Sequence, residues 1–151
     1  MGCSMGGYGA LKLALSMPDR FGFCGAISSA CIYFKPILES LRTDAASYMK
    51  TGAEAVEVVK DMRAIFGDDL KYQPEGDIME LVKNFPANMP RPKIYAACGT
   101  EDNLHKENLK FREEMQKTAF DFTFGEWQGC HDWYFFSDAL KKALELWYNG
   151  N

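Results

Sequence analysis

Gly2-Cys3-Ser4-Met5-Gly6-Gly7-Tyr8-Gly9-Ala10-Leu11 is the stretch that decides how this chain is read. It contains G-x-S-x-G, the spacing that lets a serine stand on a sharp turn between a strand and a helix, its hydroxyl raised above the sheet. Such a turn brings strand and helix close together. Side chains two residues before and two after the serine would collide, which predicts a steric reason for glycine at both Gly2 and Gly6. Helix formers follow from Ala10 to Met17 and stop at Pro18, as expected of a helix that starts at the turn. The first N–H groups of that helix point toward a bound substrate. Ser4 is therefore the candidate nucleophile, and the backbone N–H of Met5 the candidate oxyanion donor. Cys3 is expected to face away from the Ser4 side of the turn.

The rest of the chain supplies strands to support such a turn. Phe23 to Ala30 is a short apolar run ending in small residues, which reads as a buried parallel strand. Lys93-Ile94-Tyr95-Ala96-Ala97-Cys98-Gly99 reads as the next, and the alternation of Phe120, Phe122 and Phe124 with polar residues marks another. Between Cys31 and Pro92 no strand is predicted. One helix is expected over 53–66, with Val56, Val59, Met62, Ala64 and Ile65 inward and Gly67 as its stop. A second, shorter helix is expected from Asp77 as N-cap to Asn84. This middle third reads as a helical cap inserted over about 31–92. Helices are also expected at about 104–117, where Leu104, Leu109, Phe111 and Met115 are available for packing, and at 133–148. Alternating strands and helices imply an α/β fold with a parallel sheet.

Composition sets limits on function. The chain has 151 residues, 47% hydrophobic and 14% aromatic, enough for one packed domain. Its net charge of −4, with no Lys/Arg run, argues against a nucleic-acid surface. No apolar stretch approaches the roughly 20 residues needed to span a bilayer, so no membrane partner is expected. The five cysteines are odd in number and contain no C-x-x-C pair, which points to reduced, mostly buried thiols. With two histidines and unsuitable ligand spacing, neither a metal nor a cofactor is expected. Localisation is not read from these residues, since any signal peptide would lie ahead of them, and the cytoplasm is favoured only weakly.

Ligands of open parallel sheets bind outside the carboxyl ends of the strands. Ser4 stands at such an end, Asp102 follows the second predicted strand, and His131 lies in the loop after the last. His131 can take the Ser4 proton, and Asp102 can orient His131. Asp132 is the rival acid, but its position beside the histidine suits the N-cap of the final helix, with Trp133 at its first position. His105 is expected to be a solvated surface residue. The aromatics of the cap, Tyr33, Phe34, Tyr48 and Phe66, are candidates for an acyl or aryl pocket, with plain core as the default.

Three stretches together, Gly2 to Leu11, Ala97-Cys98-Gly99-Thr100-Glu101-Asp102 and Gly129-Cys130-His131-Asp132-Trp133, resemble the Putative esterase family of α/β-hydrolases. That family includes tributyrin esterases, S-formylglutathione hydrolase (esterase D), feruloyl and acetyl xylan esterases, and the antigen 85 mycolyltransferases. The likeness to the tributyrin-esterase branch runs over essentially the whole chain, including Phe66-Gly67-Asp68. It implies an α/β-hydrolase fold represented by its C-terminal portion, a single partial domain over 1–151 that begins at the nucleophile turn. It also implies a Ser4–Asp102–His131 triad and a serine carboxylesterase that cleaves short-chain acyl esters through an acyl-enzyme. The alternatives are an S-formylglutathione hydrolase-like thioesterase, or a truncated, weakly active remnant that needs a partner chain. The expected partner is a small-molecule ester. Without a strand ahead of Gly2, the segment near Phe23–Ser29 is expected to be an open edge for self-association, and the isolated chain a weak esterase.

Overall fold

The computed structural model describes residues 1–149. Four parallel strands, β1 (Gly2–Cys3), β2 (Phe23–Ile27), β3 (Lys93–Gly99) and β4 (Phe122–Trp127), lie side by side in chain order. Helix α1 (Met5–Ser16) joins β1 to β2. The β2–β3 connection carries α2 (Phe34–Met49), α3 (Ala53–Phe66), a 3₁₀ turn at Pro74–Gly76 and α4 (Ile78–Lys83). Helix α5 (His105–Met115) joins β3 to β4, and α6 (Trp133–Asn149) follows β4. Sequential parallel strands with α1, α4 and α5 on one face are what right-handed crossovers produce.

Period-two alternation divides the strand side chains between two cores. Cys24, Ala26, Ile94 and Ala96 meet Leu11, Leu15, Ile78, Val82, Phe111 and Met115 on the α1–α4–α5 face. Ile27, Tyr95 and Ala97 meet Phe135, Phe136, Ala139 and Ala143 of α6 on the other. Cys3 packs on the α6 side, away from α1, as expected. Strand β1 pairs only with Ala26 and Ile27, so on that side of β2 the stretch Phe23–Gly25 has no strand beside it. No described helix is long and apolar enough to cross a membrane.

The segment between β2 and β3 differs in one large respect from the sequence reading. Helix α2 was not expected. Its stripe of Phe34, Ile37, Leu38, Leu41 and Ala45 has helical spacing, but Pro36 and Thr43-Asp44 interrupt its propensity. Pro36 sits in the first turn, where its missing N–H costs nothing. Asp44 leaves the helical region and its carboxylate accepts from Ser47 N at 2.9 Å, restarting the helix after a kink. Phe34, Leu38 and Leu41 form a separate core with Val59, Met62, Phe66 and Leu70. Phe34 and Phe66 are thus core rather than pocket.

Helix α3 has its expected bounds, yet its buried stripe is Ala55, Val59, Met62 and Phe66. Ile65 is 52% exposed, and Ala64 also faces out, because both fall off that 3.6-residue repeat. Strand β2 ends at Ile27, short of Ala30, because Ser28 turns to a positive φ of 44°. Leu38→Ala should therefore cost about 2–5 kcal/mol in denaturant unfolding, whereas Ile65→Ser should stay within about 0.5 kcal/mol.

Candidate active site

Ser4 occupies the turn between β1 and α1 with φ 54° and ψ −124°, a left-handed conformation that a serine adopts only under constraint. Two main-chain bonds impose it: Ser4 N–H donates to Ile27 O at 2.9 Å, and Ala30 N–H donates to Ser4 O at 3.2 Å. A Cβ on Gly2 would run into the Gly6 carbonyl, which explains glycine at position 2. The steric reason expected for Gly6 is absent on its own side, since a Cβ there meets nothing; it is the Gly6 backbone that Gly2 must clear. Gly7, which the sequence reading did not single out, is the second tight glycine. A Cβ there would strike the Ser29 hydroxyl.

A serine at a helix N-cap ordinarily turns its oxygen onto the first N–H groups. Ser4 makes no such bond. Its Oγ lies 3.0 Å from His131 Nε2 instead. The Met5 N–H, at the first position of α1, is left without an intrahelical acceptor and faces the same end of the sheet.

Main-chain contacts bring the other two residues together. Thr100 N–H donates to Trp127 O at 3.0 Å, and Glu101 N–H donates to Gly129 O at 3.0 Å, joining the loop after β3 to the loop after β4. The approach is so close that a Cβ on Gly99 would overlap the Gly129 carbonyl. Asp102 emerges from the first loop with its carboxylate fully buried. One oxygen accepts from Leu104 N–H at 2.8 Å, and the other lies 2.9 Å from His131 Nδ1. Since a carboxylate only accepts, Nδ1 carries the proton, and Nε2 is the ring nitrogen left to accept from Ser4. Phe136 meets the His131 ring edge-on at 5.0 Å. All four sequence-predicted residues, Ser4, Met5, Asp102 and His131, therefore lie at one end of the sheet.

Asp132 accepts from Tyr134 N–H and Phe135 N–H at 3.0 Å each, the N-cap of α6. His105 differs from expectation: it is partly buried, 3.1 Å from Glu126, which also holds Arg112 at 3.0 Å. Two residues of α5 escaped the sequence reading. Asn108 is wholly buried and Glu107 accepts from Ile32 N–H at 3.0 Å. Burial raises the Glu107 carboxyl above its usual range. Their only sequence signal was polarity on a helix face that also carries Phe111 and Met115.

The five cysteines are free. Burial pushes the Cys24 thiol up to about 12; burial and then the neighbouring Asp102 carboxylate push Cys98 to about 12. Cys31, raised to about 11 by burial and Glu107, touches Met5 sulfur to sulfur at 3.3 Å. Among the described residues no group of His, Cys, Asp or Glu is placed to hold a metal ion. A cavity of about 550 Å³ opens beside the Cys31–Met5 contact, walled by Ile37, Leu41, Tyr48, Val58 and Met62 of α2 and α3 and by Asn103 and Leu104 next to Asp102. Of the thiols, exposed Cys130 should react first with iodoacetamide in the folded protein, but slowly near neutral pH, because its hydrogen bond to the Glu101 carboxylate raises the thiol above its usual range. Mass mapping should find Cys24 and Cys98 unmodified.

Residues 1–146 match the model of the family described as Putative esterase. An acetyl esterase of Caldicellulosiruptor saccharolyticus is 34% identical over 147 residues, which cover 95% of this chain and 52% of that protein. The substrate-bound fluorophosphonate-binding serine hydrolase F of Staphylococcus aureus superimposes with a TM-score of 0.72 at 25% identity, over 95% of this chain and 51% of that one. An S-formylglutathione hydrolase of Agrobacterium tumefaciens shares the fold, with a TM-score of 0.63 at 22% identity over 95% of this chain and 46% of its own. The chain spans about half the length of these proteins.

Proposed function

Because the chain belongs to the Putative esterase family, we propose that Ser4, His131 and Asp102 act together to hydrolyse carboxylic esters through an acyl-enzyme. The observation that carries this reading is the continuous hydrogen-bonded line from Ser4 Oγ to His131 Nε2, at 3.0 Å, and from His131 Nδ1 to Asp102 Oδ2, at 2.9 Å.

The roles follow from that line. His131 Nε2 takes the hydroxyl proton as Ser4 Oγ attacks the ester carbonyl. The buried Asp102 carboxylate stabilises the imidazolium and holds its tautomer. Charge develops on the carbonyl oxygen, and the Met5 N–H, left uncapped by Ser4, is the donor proposed to receive it. His131 returns the proton to the departing alkoxide, leaving Ser4 acylated. Water then attacks the acyl carbon, again giving its proton to His131, and the carboxylic acid departs as the proton returns to Ser4. Every proton in this sequence is carried by His131, and no step calls for a cofactor.

The substrate proposed is a short-chain acyl ester. The acetyl esterase relative supports a small acyl group. The largely apolar cavity beside Cys31, with Glu107 in its wall, supports an uncharged substrate portion reaching along α2 and α3.

In the protein as encoded, a fluorophosphonate probe should label Ser4, and Ser4→Ala should abolish both labelling and p-nitrophenyl acetate turnover. Labelling that persists in Ser4→Ala would refute the assignment. Asp102→Asn should lower kcat by as much as about 10⁴-fold, by leaving the wrong histidine tautomer. Asp132→Asn should cost on the order of 1 kcal/mol of stability at most and little activity, because its work is the α6 cap. The reverse ranking in steady-state kinetics would move the acid role to Asp132.

A further inference from the structure

Asn108 is fully buried near the start of α5, and its carboxamide is fully hydrogen-bonded there. Its Oδ1 accepts from Ser29 N–H at 3.2 Å, and its Nδ2 donates to Ser29 O at 3.0 Å. The carboxamide thus pairs with Ser29 as a neighbouring strand residue would, one donor and one acceptor side by side. The remaining N–H of the amide serves Leu104 O at 3.0 Å. Only an amide of this length supplies that combination: leucine of similar size offers neither, and aspartate accepts without donating.

Both ends of this clasp lead to the site. Ser29 lies against Gly7, and the next residue, Ala30, donates to Ser4 O. Leu104 donates to the Asp102 carboxylate. A second route therefore joins nucleophile to acid, running Ser4, Ala30, Ser29, Asn108, Leu104, Asp102, and it does not pass through His131. The loop it grips includes Ser28 and Cys31 at φ 44° and 57°, conformations that persist only when their surroundings hold them. Glu107, one residue before Asn108, secures the far end of the same loop at Ile32.

We propose that Asn108 is a positioning residue for the hydrolysis inferred above, and the proposal rests on that reading: it fixes the turn bearing Ser4 against the loop bearing Asp102, at the separation His131 spans. Without it the 28–32 loop is free to relax and the Ser4 turn follows. Displacement of reacting groups by about 1 Å costs on the order of 10²-fold in rate.

The test compares Asn108→Leu and Asn108→Asp with Met115→Ala, a fully buried core truncation later on the same helix. Thermal midpoints, kcat and KM for p-nitrophenyl acetate are measured for each in the protein as encoded, below every melting range. Both Asn108 variants should lose about 10- to 10²-fold in kcat with KM within about twofold. Met115→Ala, destabilised but remote from the loop, should keep kcat within about twofold. The proposal is overturned if the Asn108 variants keep the unsubstituted kcat, or lose no more than Met115→Ala does. It is equally overturned if both fail to fold where Met115→Ala folds, because Asn108 is then a folding residue. Turnover of the unsubstituted protein and of Ser4→Ala is read in the same series. Turnover that does not depend on Ser4 overturns the esterase reading itself, and the proposal with it.

Discussion

Ser4 is held at a positive φ by two main-chain hydrogen bonds, one to the end of β2 and one from the residue two beyond Ser28. A conformation of this kind costs about 1–3 kcal/mol and survives only where neighbours over-determine it. Those neighbours account for much of the architecture around it. Gly2 must lack a side chain so that the Gly6 carbonyl can pass, and Gly7 must lack one so that Ser29 can. The hydroxyl that would otherwise cap α1 is turned away toward His131, which leaves the first amides of α1, at Met5 and Gly6, available. One strained residue thus both aims the Ser4 hydroxyl at His131 and leaves the Met5 N–H uncapped, and the loop after β2 keeps it strained.

Parallel strands supply the rest of the geometry because their carboxyl ends lie along one side of the sheet. Register alone leaves the loops after β3 and β4 adjacent without fixing them. The fixing comes from backbone: Thr100 and Glu101 donate across to Trp127 and Gly129, and the Gly99–Gly129 contact leaves no room for a methyl group. Main-chain bonds of this type do not depend on rotamers, so the two loops are held at a fixed separation whatever rotamers Asp102 and His131 adopt. Complete burial of the Asp102 carboxylate strengthens its attraction to any charge that develops on His131.

Much of this was legible in the residues. The G-x-S-x-G spacing has a steric meaning, and Asp102 and His131 each followed a recognisable strand. The Asp77 and Asp132 caps were readable from the residue type that begins a helix. Other features were hidden for physical reasons. Helix α2 carries Pro36 and a mid-helix Asp44, so propensity spoke against a helix that tertiary packing then stabilised. Ile65 looked inward because it is apolar, yet a helix buries a stripe rather than a composition. Asn108 was silent because burial of an amide depends on partners 79 residues away in sequence, and no local pattern announces them. His105 looked like a free surface side chain because its partner, Glu126, which also holds Arg112, meets it only once β4 has joined the sheet beside β3.

The connection between β2 and β3 divides into two parts with different dependencies. Its return leg, α4, packs on α1 and shares the core of the sheet. Its outer leg, α2 and α3, closes on a core of its own. The cavity lies between that outer core and the Asp102 loop, so most of its wall belongs to elements that contribute nothing to the hydrogen-bonded line of Ser4, His131 and Asp102. Side chains such as Val58 and Met62 can therefore change cavity shape through α3 without touching the strand ends. Two links connect the regions: the 28–32 loop, which touches Met5 through Cys31 and leads directly into α2, and Tyr8 of α1, which meets Phe34 of α2 edge-on at 5.1 Å. A change in the cap can reach the strand ends through that loop or through α1, and Glu107 and Asn108 on α5 hold the loop at Ile32 and Ser29.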